Sequence, residues 1–376
     1  MQTFNLDVFL QNLEYLVNID SHAEDISGVT KVGKYYADLF DEKFFVREVQ
    51  IDPSIAPGLL ITNTQEEKYD LLLMAHMDTV FHAGEAAKRP FKNDGERLTG
   101  PGVNDMKSGG LLGCYAMINN YEELKKLKIA LAFNPEEEMG SRHVRPWFEE
   151  LSKKSSYVIV LEPARGNGAH VEARKGVGKY FINFHGVASH AGTHPVAGRS
   201  AIHEMGYWVC RLVELHNLET GFTVNVGTVK GGVNPNVVAD FCEMAVDVRM
   251  ETLDQIAAWD TLLEELQEHA FSKDINVEII GGVNRPPMFK TAQTYKFIEL
   301  CNRAAASLGM DCKWVKTGGG SDGNFSGALG VPTVDAFGPT GDGSHTVNEY
   351  VEVKSIAPAY ELLVKIMLLL QEKIYG

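Results

Sequence analysis

Apolar positions along the chain fall into stretches of different period. Near the N-terminus Phe9, Leu10, Leu13, Leu16 and Val17 recur at helical spacing and predict an amphipathic helix; a second is predicted over residues 29–40. Short unbroken apolar runs then begin, at 59–62 and, more strongly, at 71–75, where Leu-Leu-Leu-Met-Ala leaves no polar side. Further runs at 129–133 and 158–161 repeat the signal. Segments this apolar predict strands buried on both faces of a sheet. A helix predicted from Ser108, as its cap, through Ile118 separates two of them. Strands alternating with helices argue for a layered α/β domain.

The period changes near Arg174. Residues 179–184, 223–229 and 241–250 alternate apolar with polar, as strands with one wet face do. Helical segments at about 200–215 and 253–269 interrupt them, which predicts a small α+β unit inserted into the first domain. After Arg285-Pro286-Pro287 the earlier pattern returns: a helix over 294–308, a short strand over 333–337 and a final helix over 354–373. Pro332 is tolerable ahead of a strand, whose first residue need not donate to the ladder. The expected division is 1–174 with 287–376, and 175–286 between them.

Composition narrows the function classes. A chain of 376 residues with 44% apolar and 23% charged residues fits two globular domains. A net charge of −15 repels phosphate backbones and speaks against nucleic-acid binding. The five cysteines are an odd number with no zinc-knuckle spacing, as expected for free thiols in a reducing compartment. The N-terminus lacks a basic start with an unbroken apolar run, and no stretch approaches the roughly 20 apolar residues of a membrane span. A cytoplasmic protein without membrane partners is the expectation.

Candidate chemistry gathers at the ends of the predicted strands, the usual edge for ligand sites in α/β sheets. His76 and Asp78 follow the run at 71–75; in an extended chain they project to the same side, so a carboxylate could support a metal-bound imidazole. Asp105 ends the turn-rich Gly100-Pro101-Gly102-Val103-Asn104 segment, where by itself it would read as a helix cap. Glu136, Glu137 and Glu138 crowd the end of another run, where like charges need a cation or protons. Glu162 closes the next run, and His345 sits in the loop Gly341-Asp342-Gly343-Ser344-His345-Thr346. Imidazole and carboxylate without thiolate suit zinc or a similar divalent ion, and the surplus of acids suits two ions sharing a carboxylate.

In this order the motifs resemble the co-catalytic zinc peptidases of the glutamate carboxypeptidase, aminoacylase and succinyl-diaminopimelate desuccinylase group, over residues 71 to 349. The resemblance implies an α/β/α metal-binding domain with an inserted α+β lid, or dimerisation, domain. It implies two zinc ions per subunit, with Co²⁺ or Mn²⁺ as substitutes. His76 and Glu162 would serve one ion, Glu138 and His345 the other, and Asp105 both. By the same resemblance Asp78 orients His76, and Glu137 is the base that activates a metal-bridged water. His190, in Gly186-Val187-Ala188-Ser189-His190-Ala191-Gly192, would reach the partner subunit's site in a homodimer formed through 175–286. Asn236, Arg285 and the Gly319 and Gly320 backbone would hold substrate, with Arg285 on its free carboxylate. The implied activity is an exopeptidase, a carboxypeptidase releasing a C-terminal residue such as glutamate, acting on small peptides. The alternative is an N-acyl amino-acid deacylase with the same two-metal site. The family also implies a cis peptide after Asp105. Arg174 and Arg249 read as ordinary salt-bridge residues, and the remaining histidines, His22 and His82 among them, carry no assigned chemistry.

Overall fold

Alternate side chains of the central apolar run serve two different cores. Leu71, Leu73 and Ala75 join one cluster, while Leu72 and Met74 join the other. The computed structural model describes residues 4–376, and this run is the strand Tyr69–His76 within it. Its six-stranded sheet runs in the order Phe45–Val49, Gly58–Thr62, Ile129–Asn134, Tyr69–His76, Ser155–Val160, Thr333–Val334. Tyr69–His76 lies parallel to both neighbours, whereas Gly58–Thr62 is antiparallel to Ile129–Asn134. Leu6–Val17, Ile26–Asp38, Ser108–Asn119, Ala292–Ser307 and Val353–Tyr375 pack on the first face. Arg145–Lys153 and Gly323–Ala328 cover the second through Phe148, Leu151 and Phe325. The result is the layered α/β arrangement that the apolar runs imply.

Contacts divide the chain into two units. One comprises the residues up to Ala173, Met288–Thr317 and Ser321–Gly376; the other comprises Arg174–Pro287 and the tripeptide Gly318–Gly320. The second unit has a four-stranded antiparallel sheet in the order Thr223–Gly231, Phe241–Met250, Gly176–His185, Asn276–Arg285. Along Phe241–Met250 burial alternates, with Cys242, Met244, Val246, Val248 and Met250 turned inward. Trp208 and Trp259, from the helices Ala201–Val213 and Leu253–Glu268, close the same core. Ser200 caps the first of these helices, and Thr252 with Gln255 forms a capping box on the second.

Two local expectations need correction, and one strand carries no signal in the sequence. Ser108 is the first residue of its helix rather than the cap, and its hydroxyl is buried without a hydrogen-bond partner. Helical backbone begins at Lys107 (φ −58°, ψ −36°), after a wide turn in which Asp105 and Met106 are non-helical and the Lys107 amide donates to the Gly102 carbonyl at 3.0 Å. The strand expected over 333–337 stops at Val334. Asp335 exchanges backbone hydrogen bonds with Val171 instead, and Ala336 takes a left-handed φ of 64°, which ends the ladder. Asn276–Arg285 is a full strand whose two glycines, Gly281 and Gly282, hide its alternation. All five cysteines are free, and among the described residues no helix is long and apolar enough to cross a membrane.

The helix Ser108–Asn119 lies close on the sheet because its contact residues are glycines. A Cβ on Gly109 would stand 2.0 Å from the Leu161 carbonyl oxygen, a backbone atom with nowhere to go. Gly109→Ala should therefore lower stability by about 1–3 kcal/mol, through forced separation of helix and strand. Gly206, in the interior of Ala201–Val213, has nothing within 4 Å of the equivalent position. Gly206→Ala should stabilise by about 0.5–1 kcal/mol. Urea unfolding of both variants checks the contrast; a neutral Gly109→Ala would refute the close-approach argument.

Candidate metal centre

His76 is the last residue of the central strand, and its ring is almost fully buried. Its Nδ1 is 3.0 Å from the backbone carbonyl of Asp78 and 3.4 Å from that residue's carboxylate. A proton on Nδ1 donates to that carbonyl, so in the neutral ring Nε2 carries a lone pair. Nε2 in turn faces Asp105 Oδ1 at 3.0 Å and Glu162 Oε1 at 3.8 Å. A lone pair opposed to carboxylate oxygens is repulsive unless a proton or a metal cation lies between them. The other Asp105 oxygen is 3.3 Å from His345 Nε2, which is also 3.1 Å from Glu138 Oε2. Asp105 thus offers one oxygen to each of two imidazoles, and a further carboxylate stands beside each ring.

The second Glu138 oxygen, Oε1, is buried and lacks a hydrogen-bond partner. Donor atoms of His76, Asp105 and Glu138 all lie within 4.8 Å of one another, close enough for Asp105 to be shared between cations held on its two sides. The electrostatics agree with this donor set. Burial alone would depress the His76 imidazole, but the hydrogen-bonded Asp105 and Asp78 carboxylates outweigh it and hold its pKa well above the ordinary value. His345 is pushed up to about 11 by its contacts with Asp105 and Glu138. Burial works to raise Asp105, yet the two imidazoles override it and keep it well below the carboxylate range. Burial and the nearby Asp105 charge raise Glu162 well above normal, and burial raises Glu138. Two imidazolium charges here offset a crowd of buried acids, and divalent cations would do so more fully.

Carboxylates that do not face the centre fix the loops that do. Asp78 accepts from the amides of Glu137 and Glu138 at 3.0 and 2.9 Å, so its side chain serves this turn at least as directly as it serves His76. Glu136 accepts from the His143 and Val144 amides and from His143 Nδ1, which locks the other end of the same loop. The peptide Asp105-Met106 is cis. Asp105 caps no helix; its carboxylate is committed to the two histidines. Sequence reasoning missed Glu349. Fully buried, it accepts from the amides of Gly102, Asn104 and Asp105 at 2.9, 2.8 and 2.9 Å. Burial pushes its pKa up to about 7 against those three donors. No sequence signal marks a single glutamate 244 positions beyond its partner.

The residues expected to handle substrate lie in the second unit, in two groups. His190 pairs with Val237 on a two-residue ribbon, and the Ala191 amide donates to the Asn236 carbonyl at 2.9 Å, so His190 and Asn236 are neighbours. The amides of Gly192 and Thr193 both donate to His190 Nδ1 at 3.1 Å, which leaves the ring proton on the exposed Nε2. Arg285 ends its strand, buried, with its Cδ against Gly320. Arg174 donates to the carbonyls of Gly319 and Gly320, and Arg249 to that of Gly318 while gripping Asp247 with two nitrogens. Arg249 thus makes the expected salt bridge; both arginines also shape the glycine loop.

Glu349→Ala would leave the buried amides around Asp105 without their acceptor. The expected cost is at least about 2 kcal/mol of stability, with faster loss of metal on dialysis. Glu349→Gln keeps one acceptor oxygen and should be milder. Urea unfolding and elemental analysis check both, and an alanine variant as stable and as metal-retentive as the parent would refute this role.

Comparison with known proteins accords with the geometry. The profile of peptidase family M20/M25/M40 matches residues 72–369. Carboxypeptidase G2 of Pseudomonas sp. (strain RS-16) is 28% identical over 362 residues, spanning 92% of this chain and 85% of that one. Aminopeptidase PepT from Bacillus cereus ATCC 10987 superposes with a TM-score of 0.76 at 22% identity, covering 97% of this chain and 99% of its own. The YXEP protein of Bacillus subtilis, described as a dinuclear metal-binding peptidase, has a TM-score of 0.67 at 16% identity and coverage of 98% of both chains. The chain belongs to peptidase family M20/M25/M40 and is a metallopeptidase-type hydrolase.

Proposed function

We propose that this protein is a di-zinc exopeptidase that cleaves the amide bond next to a free carboxylate, releasing a C-terminal amino acid from small peptides. The observation that carries the reading is the divided Asp105 carboxylate, one oxygen toward His76 and one toward His345. His76 and Glu162 would hold one ion, Glu138 and His345 the other, and Asp105 would bridge them; Co²⁺ or Mn²⁺ could substitute. Bound there, the ions supply Lewis-acid polarisation of the scissile carbonyl and a water acidified toward neutrality.

The chain's own residues do the rest. Glu137, adjacent to Glu138 and held through its amide by Asp78, takes a proton from the attacking water and delivers it to the leaving nitrogen. His190 offers an Nε2 proton, which suits it to stabilise the developing oxyanion in a partner subunit's site. Arg285 binds the substrate carboxylate by paired charge-assisted hydrogen bonds, with Asn236 and the backbone of Gly319 and Gly320 assisting. Similarity to carboxypeptidase G2 supports a carboxypeptidase, and the motif resemblance points to glutamate as the C-terminal residue released. The unit around 175–286 would form the homodimer contact, and the free thiols accord with a cytoplasmic location.

Glu137→Ala should keep its metal and lose about 10²- to 10⁴-fold in turnover, measured by elemental analysis beside steady-state kinetics; unchanged turnover would remove the assigned base. Arg285→Ala should raise KM for carboxylate-terminated peptides far more than for their amidated forms. Assayed together, glutamyl peptides and N-acyl amino acids separate the two chemistries: activity on acylated amino acids alone would replace the peptidase reading by a deacylase. Mixing Glu137→Ala with His190→Ala should restore activity that neither variant shows by itself, because each hybrid dimer holds one intact composite site. No recovery after verified subunit exchange would place His190 outside the partner's site.

A further inference from the structure

A second group of metal-ligating side chains lies in the first unit, apart from the residues assigned above. His22, Glu24 and His82 present ligand atoms that all fall within 4.8 Å of one another. Two imidazoles and one carboxylate form a borderline-soft donor set that suits Zn²⁺ and its late first-row neighbours, not Ca²⁺ or Mg²⁺. In a tetrahedral zinc site neighbouring donors stand roughly 3.3 Å apart, so the observed spacing closes with small side-chain rotations.

The backbone beneath these groups is tied down. The loop carrying His22 and Glu24 is joined to the segment carrying His82 where the Thr79 amide donates to the Ser21 carbonyl at 2.8 Å and His22 bridges to Thr79. Asp20 accepts from the amides of Gly84 and Ala86 at 2.7 and 2.8 Å, which fixes the far end of the same segment. The three donors are therefore brought together by a pre-formed frame and not by chance contact of two mobile loops.

The side chains are set as donors. The Glu24 amide donates to His22 Nδ1 at 3.2 Å, which requires a lone pair on Nδ1; that nitrogen is 3.8 Å from Glu24 Oε2. A metal at Nδ1 would take that lone pair from the Glu24 amide and draw Glu24 Oε2 in from its long contact. The His82 ring lies on the His22 ring with centroids 4.1 Å apart and planes tilted by 29°. His82 is exposed, so it can turn its ring edge toward the same ion.

We propose that His22, Glu24 and His82 form a third metal site, specific for a divalent transition metal, with solvent completing the coordination. Three protein ligands and partial exposure make it an exchangeable site that clips the loop before Ile26–Asp38 to the segment leaving the central strand. By linkage, occupancy stabilises the folded chain.

The test uses the full-length protein with its catalytic metals in place, equilibrated by dialysis against buffered Zn²⁺ and measured by elemental analysis. The parent should bind one equivalent per chain more than His22→Gln/His82→Gln, and kcat/KM should be the same for both. Added Zn²⁺ should raise the melting temperature of the parent but not of the variant. Glu24→Gln, which keeps both histidines, should weaken the extra site without abolishing it. Equal stoichiometry and equal melting shifts in parent and double variant would overturn the proposal. The result is independent of the catalytic reading, because an error in the catalytic count changes both totals equally and leaves their difference intact.

Discussion

Like charges placed at the end of a buried sheet govern the architecture of the centre. Three parallel strands deliver His76, the Glu136-to-Glu138 turn and Glu162 to one edge, and two long loops add Asp105 and His345. In water such acids would stand apart; in the protein interior their proximity is tolerable only with compensating positive charge. Folding energy from the two apolar faces of the strand Tyr69–His76 holds the acids where they would not otherwise stay. That spending on an unfavourable cluster marks it as functional, since a purely structural site gains little from buried carboxylates.

Support for the cluster follows one device repeated. A carboxylate that does not face the centre gathers the amides of the loop that does: Asp78 for Glu137 and Glu138, Glu349 for Gly102, Asn104 and Asp105, Glu136 for His143 and Val144. Each clamp satisfies backbone donors that burial would leave unpaired, and each fixes the direction of a neighbouring side chain. The glycine loop of the second unit uses the opposite polarity, with Arg174 and Arg249 holding its carbonyls.

Much of this was legible in sequence, for reasons that differ by element. The runs at 71–75 and 129–133 announced themselves because both faces of their strands are buried, and Phe241–Met250 did so by strict alternation. His76, Asp105, Glu138, Glu162 and His345 could be nominated because they end such elements or sit in the loops beside them, and the fold brings them together. Phe45–Val49 escaped notice because it is an edge strand, largely exposed, with no periodic burial to read. Glu349 escaped because its role depends on a backbone shape that no local pattern encodes. The end of the strand at Val334 was set by pairing of Asp335 with Val171, a tertiary event that overrode local propensity.

The Glu349 clamp also constrains the order in which the molecule can mature. Its three partners precede it by 247, 245 and 244 positions, among the longest-range side-chain contacts in the first unit. During synthesis the loop bearing Asp105 emerges first and waits without its acceptor until 244 further positions have been made. The sheet can condense from its nearer-neighbour strands before then, but the Asp105 amide is held only once Glu349 has docked. The amides around Asp105 therefore gain their acceptor only after the strand Tyr69–His76 and its two parallel neighbours have been made.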